Sequence, residues 1–564
     1  MKPIILLYIL VNFFPFLFWN QAQAQLLSAQ TRARIDSIFS HWNTSQTPGA
    51  VVGIIYQGNW VHKQAYGMAD IQREEKLATT HSFWVASVAK QFTAMSIALL
   101  AEKGKLSLED DVRKYLPELP YLEDTIRIKH LVYHTSGLRD GFTLLGLRFK
   151  GEKRYTNANV LKALSLQQKL NFKPGERHEY NNGGYVLLAH IVERVSGEPL
   201  ADFTSKHIFQ PLGMKQTYFY GKIDRGIPHL ALGYDVRYKG ANIHYRKGHF
   251  KGNTVGSSGL VTSLDDLYKW DQNFYHNKLG KASPELIELV TTPGKLINGQ
   301  ATSYAFGLEV EPYKGQLAIT HSGADEGYKA EIVRFPALEL TIIGLANTDD
   351  MYSLTHKLFT IGQLIAPAKF QDTIPHVSAE TLNPAETEHR TGYYINPDNL
   401  ADLRVLTQKE GTFYAARSIS GYQEPLKQLA ELKFVNQGTG EYSYLFTTSE
   451  DGHHGQLCYQ ERANSYILQK MSAISLPTAE LKRYTGIYYS PELNKRYHLS
   501  VRKGRLGLRI FHFMHIPFQA LAGDLFLADL MGNNSLLFTK NDKGEITGFE
   551  FSREAVHTLQ FFKK

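Results

Sequence analysis

Ser87-Val88-Ala89-Lys90, followed by Gln91-Phe92-Thr93-Ala94-Met95-Ser96-Ile97-Ala98-Leu99-Leu100-Ala101-Glu102-Lys103 and then Gly104, decides how this chain is read. Apolar residues recur at helical intervals and Gly104 suits a C-cap, so the segment reads as a long helix. On such a helix Ser87 and Lys90 share one face, one turn apart. A serine hydroxyl is a poor nucleophile at neutral pH. A lysine that has lost its proton through burial, or beside another cation, can take the hydroxyl proton. The pair is therefore the outline of an acyl-transfer site. The chain also carries a decoy, Ser500-Val501-Arg502-Lys503. There the run from Tyr497 alternates and closes at Gly504, which reads as a strand entering a turn, where Ser and Lys do not share a face.

A nucleophile needs a second proton handler and a place for the oxyanion. Tyr180-Asn181-Asn182 follows Lys173-Pro174-Gly175 in a loop and precedes a helix read from Tyr185 to Val195, stopped by Gly197. His321-Ser322-Gly323 ends a strand-like run, Leu317 to Thr320, and two more strand patterns follow, Ala330 to Phe335 and Leu338 to Ala346. Tyr-x-Asn alone is a weak signal, since it recurs at Tyr275-His276-Asn277 and Tyr394-Ile395-Asn396. Order and context of the three fragments carry the case.

With these residues the chain resembles the penicillin-recognising serine hydrolases: class C β-lactamases, DD-peptidases, D-aminopeptidases and related esterases. It is similar to the branch with Tyr-x-Asn rather than Ser-Asp-Asn as the second motif. The stretches His130-Leu131-Val132-Tyr133-His134-Thr135-Ser136-Gly137-Leu138 and Ser257-Ser258-Gly259-Leu260-Val261-Thr262-Ser263-Leu264-Asp265-Asp266-Leu267 support the likeness, which covers about residues 30 to 366. The resemblance implies an α+β fold, an antiparallel sheet flanked by helices with a mainly helical insertion, and a site between the two. The pattern agrees. A helix from about Ser28 to Trp42 precedes a hairpin, Ala50 to Tyr56 and Trp60 to Tyr66, turned at Gln57-Gly58-Asn59, and Met351 to Ile365 reads as a closing helix.

Beyond Pro367, Pro375 and Pro384 helical periodicity fades and alternating, Tyr-, Phe- and Gly-rich patterns dominate. Thr391-Gly392-Tyr393-Tyr394-Ile395-Asn396-Pro397-Asp398 repeats as Thr485-Gly486-Ile487-Tyr488-Tyr489-Ser490-Pro491-Glu492, and helix-like leads lie near Ala385 to His389 and Thr478 to Arg483. Two small antiparallel, lipocalin-like β-barrels answer this repeat, because closure removes exposed edges. A single larger β-domain is the alternative. The expected division is a signal peptide at 1–24, a hydrolase domain at 25–366, a linker at 367–383, and barrels at 384–476 and 477–564.

Lys2, the apolar run Pro3 to Trp19 and the small-residue site Ala22-Gln23-Ala24 read as an export signal cleaved before Gln25. The run is long for a signal, but Asn12 and Pro15 weaken it as a membrane helix. The expectation is a periplasmic or secreted protein with no stable membrane insertion after cleavage. Cys458 is the only cysteine, so no internal disulfide forms. Sixty-two basic against 54 acidic residues give a net charge of +8 without a long basic run, which does not imply nucleic acid. His130 and His134 lack the Glu of a metalloprotease motif and read as helix-end packing, and His453-His454 falls in a turn. No G-x-S-x-G elbow occurs. Neither a metal nor a cofactor is expected.

Ser87 would attack an acyl carbon, with Lys90 and Tyr180 sharing the proton; the sequence leaves open which is the base. The backbone N–H groups of Ser87 and Ala324 would hold the oxyanion. The resemblance places Asn182 against the substrate amide and Lys90, and His321, Ser322 and Gly323 along the substrate. His321 departs from the Lys usual in β-lactamases of this branch, a fixed cation suited to a carboxylate. Histidine at this place also occurs among the DD-peptidases and D-aminopeptidases. A small peptide, amide or ester of a D-amino acid is thus the expected substrate. A class C-like β-lactamase and a penicillin-binding sensor or scaffold are the alternatives.

Overall fold

The computed structural model describes residues 27–148, 155–220, 227, 229–239, 242–248, 253–350, 354–371, 390–419, 421, 423–430, 432–436, 442–447, 455–461, 464–510, 514–529 and 532–564. The expected signal segment 1–24, the lead near Ala385 to His389 and the His453-His454 turn lie outside them.

A six-stranded antiparallel sheet runs in the order Glu309–Tyr313, Gln316–Asp325, Tyr328–Phe335, Leu340–Ala346, Ala50–Tyr56, Asn59–Tyr66. The first hairpin turns through Gln57 and Gly58, both at positive φ (49° and 73°). Ala50–Tyr56 is a near-continuous apolar run because both its faces are covered. Val52 and Ile54 pack with Ile35 of the Ala29–Ile38 helix and Leu358 of the Leu354–Ile365 helix, whereas Val51 and Ile55 join the core of the helical region. That helical region is inserted between the hairpin and the other four strands. Its central helix, Lys90–Glu102, is buried on every side from Lys90 to Leu100. Such a helix must satisfy its polar groups internally: Thr93 Oγ1 donates to the Gly256 carbonyl (2.8 Å) and Ser96 Oγ to that of Phe92 (2.8 Å). The decoy Ser500 lies on the Lys495–Arg502 strand, with Lys503 at φ 51° in the turn that follows.

The C-terminal half contains a closed eight-stranded antiparallel barrel, from Gly392–Asn396 to Asn464–Met471, in which the first strand also pairs with the last. A nine-stranded antiparallel sheet follows and curls through its Gly486–Ser490 and Val556–Lys563 strands, its two end strands, Met514–Pro517 and Gln519–Ala520, being consecutive in sequence. The sequence repeat has one physical meaning in both. Gly392 (φ 132°) and Gly486 (φ 144°) open the first strands, and two residues on a fully buried tyrosine turns back on its own chain: Tyr394 Oη donates to the Arg390 carbonyl (3.0 Å), Tyr488 Oη to that of Tyr484 (2.9 Å).

The last β-unit packs against the helical region through polar as well as apolar groups. Arg139, wholly buried, is ion-paired to Glu492, donates to the Gln167 side chain (3.0 Å), and reaches the His557 carbonyl through Nε (3.1 Å). The Asp140 N–H donates to the Ala555 carbonyl (2.8 Å), and His557 Nε2 approaches Glu179 Oε2 at 2.9 Å. Removing one member of a buried ion pair leaves an uncompensated charge. Glu492→Ala is expected to cost about 3–5 kcal/mol, seen as a lowered midpoint in chemical denaturation of the full chain. An unchanged midpoint would show that the pair does not hold the units together.

Candidate functional site

Ser87-Val88-Ala89-Lys90 straddles two elements. Ala86–Ala89 forms a 3₁₀ turn and the α-helix begins at Lys90. Ala86 has φ 44°, a left-handed conformation that costs an L-residue on the order of 1–3 kcal/mol and that clusters at functional sites. The turn sets Ser87, half-buried, above Lys90, which is fully buried. Lys90 Nζ lies 3.0 Å from Ser87 Oγ, 2.8 Å from Asn182 Oδ1 and 2.8 Å from the Ser257 carbonyl. Burial drives the Lys90 amine down to about 7, against the opposing pull of Asp140 and Asp325. The three contacts suit a neutral amine. The amide and carbonyl oxygens can only accept, so they take its two N–H bonds and leave the lone pair for the Ser87 proton.

Tyr180 is close enough to Ser87 for the hydroxyl to act on its phenol, and its ring centroid lies 4.8 Å from Lys90 Nζ. Burial pushes its phenol well above the usual range, an effect larger than the opposing influence of Ser87. The segment carrying it is pinned on both sides by His134, whose Nδ1 accepts the Asn181 N–H (3.1 Å) and whose carbonyl accepts that of Glu179 (2.8 Å). His134 is itself held far below its usual range, first by burial and then by His178, Lys90 and His321, and its ring lies 4.4 Å from that of Tyr180. His130 caps the Ile128–Val132 helix by accepting the Arg127 N–H at Nδ1 (3.1 Å). Among the described residues no group of His, Cys, Asp and Glu could hold a metal ion.

The third fragment sits differently from its sequence reading. The strand does not end at His321 but continues to Asp325, because Ser322, Gly323, Ala324 and Asp325 stay paired with Glu331, Ala330, Lys329 and Tyr328. Gly323 is there for closeness: a Cβ would stand 2.3 Å from the Val85 carbonyl oxygen and 3.1 Å from the Ser87 nitrogen. Ala324 and Ser322 are exposed beside it. His321 is only 2% exposed, with Nε2 2.8 Å from Tyr304 Oη and Nδ1 2.6 Å from the Ser322 carbonyl. It is set back from the cleft, bonded to the protein through both ring nitrogens.

The family profile described as Beta-lactamase matches residues 35–360, more than half of the chain. This chain belongs to the beta-lactamase family. As a member it is a serine hydrolase. It is similar to Penicillin-binding protein 4* of Bacillus subtilis (strain 168), 35% identical over an alignment of 376 positions that covers 63% of this chain and 80% of that protein. Protein flp of Staphylococcus aureus (strain MW2) is 28% identical over 342 residues, 58% of this chain and 65% of flp, so this chain spans just under two thirds of flp. The structure of the octameric penicillin-binding protein homologue from Pyrococcus abyssi shares the fold, with TM-score 0.55 at 21% identity over 78% of this chain and 99% of that one.

Several residues of this beta-lactamase-family site escape a sequence reading. Ser257 and His134 fall within the supporting stretches, but a carbonyl acceptor and an imidazole acceptor leave no pattern. Tyr304, which bonds His321, carries no local signal at all. Gly323→Ala is expected to push the strand off Ser87 and slow labelling of Ser87 by a fluorophosphonate about 100-fold or more, the usual cost of a 1 Å misplacement. An unchanged labelling rate would show that the close approach at Gly323 is not needed.

Proposed function

We propose that the chain is an exported serine hydrolase that forms an acyl-enzyme on Ser87 and acts on amides, peptides or esters of D-amino acids. The single observation that carries the mechanism is the buried Lys90 amine, within 3.0 Å of Ser87 Oγ and lowered to about 7. As a free amine it accepts the Ser87 proton while Oγ bonds to the acyl carbon. The N–H groups of Ser87 and Ala324 receive the oxyanion. Tyr180, kept a phenol by its burial, gives its proton to the departing amine or alkoxide and regains one from Lys90. The carbon–leaving-group bond breaks, the ester remains on Ser87, and Lys90 is again neutral. A water then attacks the ester, losing its proton toward Tyr180 and Lys90, and Ser87 leaves with a proton. Asn182, which bonds Lys90 through Oδ1, still has its amide N–H groups to offer a substrate carbonyl.

The withdrawn position of His321 supports a D-aminoacyl substrate over a β-lactam. A carboxylate-bearing antibiotic would find no fixed cation at that place on the strand. Export rests on Lys2, the apolar run to Trp19 and Ala22-Gln23-Ala24.

Intact mass of residues 25–564 after exposure to a fluorophosphonate, and separately to benzylpenicillin, tests this reading, with Ser87→Ala as control. The expected result is one fluorophosphonate adduct, absent from Ser87→Ala, and a penicillin adduct that persists. The labelling rate should rise through pH about 7 as Lys90 loses its proton, and flatten above. Undiminished labelling of Ser87→Ala would overturn the nucleophile. Rapid penicillin turnover without an adduct would replace the reading by a β-lactamase.

A further inference from the structure

Asp325 is a carboxylate at the end of the Gln316–Asp325 strand, two residues past the glycine that abuts Ser87. Its Oδ2 accepts from Trp84 Nε1 and from Ser258 Oγ, both at 3.3 Å, and its Oδ1 from the Glu326 N–H at 3.0 Å. Those partners place it. Trp84 lies on the strand that leads into the Ser87 turn, and Ser258 follows Ser257, whose carbonyl takes a Lys90 N–H. The carboxylate is thus fixed by the two segments that frame the nucleophile and the base. It is half-buried, and among the described residues no Lys, Arg or His forms an ion pair with it. The cation that feels it is Lys90, whose pKa of about 7 leaves it much of the time uncharged.

A half-buried carboxylate that accepts two long side-chain hydrogen bonds and one backbone N–H but has no counter-ion keeps its charge unpaired, and a ligand that brings a cation to it gains accordingly. The rest of the site has the same sign: Asp140 acts on Lys90, and Glu309 acts on Tyr180. His321 is turned away toward Tyr304. In an amide or ester of an α-amino acid the ammonium nitrogen is about 2.5 Å from the carbonyl carbon under attack. An acyl group seated on Ser87 with its oxygen at Ala324 can therefore turn its ammonium toward the next residue along the strand.

We infer that Asp325 is a specificity-determining residue that selects acyl donors with a free, protonated α-amine over donors whose amine is acylated. The inference rests on the D-aminoacyl reading above and narrows it: the enzyme takes its substrates from the amino end, and N-blocked peptides are poor donors.

The experiment compares D-alanine p-nitrophenyl ester with its N-acetyl derivative on the full mature chain, by nitrophenol release corrected for spontaneous hydrolysis and by the acyl adduct on Ser87. The expected result is a kcat/KM ratio well in favour of the free amine, falling at least tenfold in Asp325→Asn and partly recovered in Asp325→Glu. Because the ratio is taken within each variant, a general loss of activity cancels. In the unaltered enzyme, D-alaninamide should protect Ser87 from fluorophosphonate labelling at concentrations where N-acetyl-D-alaninamide does not. That measurement needs no variant. If both esters are turned over with equal efficiency, or the ratio is unchanged in Asp325→Asn, Asp325 does not select the amine and the D-aminoacyl reading stands alone. If the fluorophosphonate labels Ser87 and neither ester acylates it, the D-aminoacyl reading falls and the role of Asp325 with it.

Discussion

The rest of the structure depends on a single buried nitrogen. Lys90 Nζ is removed from water and given three oxygen neighbours, of which only the Ser87 hydroxyl has a proton to offer in return. Burying an amine disfavours its charged form, and the same burial that would be a fault elsewhere leaves this one able to act as a base near neutral pH. It also separates the two candidates for that role. Lys90 is pushed down and Tyr180 is pushed up by one cause, so the amine is available as base and the phenol as acid.

Holding that arrangement requires chain segments to approach more closely than side chains permit, and glycine appears at the contacts. Gly323 lies against the Ser87 turn. A Cβ on Gly307 (φ 71°) would meet the backbone of Lys90 and Gln91 at 2.6 Å, and one on Gly256 (φ 109°) would stand 2.5 Å from the Tyr185 carbonyl oxygen. The strand, the helix and the Ser257 loop are thereby locked together around the amine. The last β-unit adds its own brace. Through Arg139, Glu492 and the turn at Ala555 it grips the Asp140 segment, whose carboxylate also accepts the Gly183 N–H at the start of the Asn182–Ser196 helix.

Much of this was legible in the sequence where the determinant is local. The Ser87 to Gly104 run declared a helix, the Gln57-Gly58 turn a hairpin, and the repeated Thr-Gly-x-Tyr a pair of related β-units whose buried tyrosines make the same bond. What stayed hidden is tertiary. His321-Ser322-Gly323 reads as the end of a strand because its residues suit turns, and only pairing with Tyr328–Phe335 keeps it extended as far as Asp325. The burial of His321 depends on Tyr304, and the placing of Asp325 on Trp84 and Ser258, residues 241 and 67 positions away. The two antiparallel barrels expected from the repeat are there, one closed with eight strands and one nearly closed with nine, and only those strand counts lie beyond what alternation gives.

The most direct test of the central claim is the titration of the Lys90 amine itself, followed by NMR of the full chain carrying ¹³C at the lysine ε-carbon, with the signal assigned by its loss in Lys90→Met. A midpoint near pH 7 is the predicted result, with the free amine, and so the base, dominant above it. A Lys90 that stays protonated to pH 10 would contradict the account and return the role of base to Tyr180.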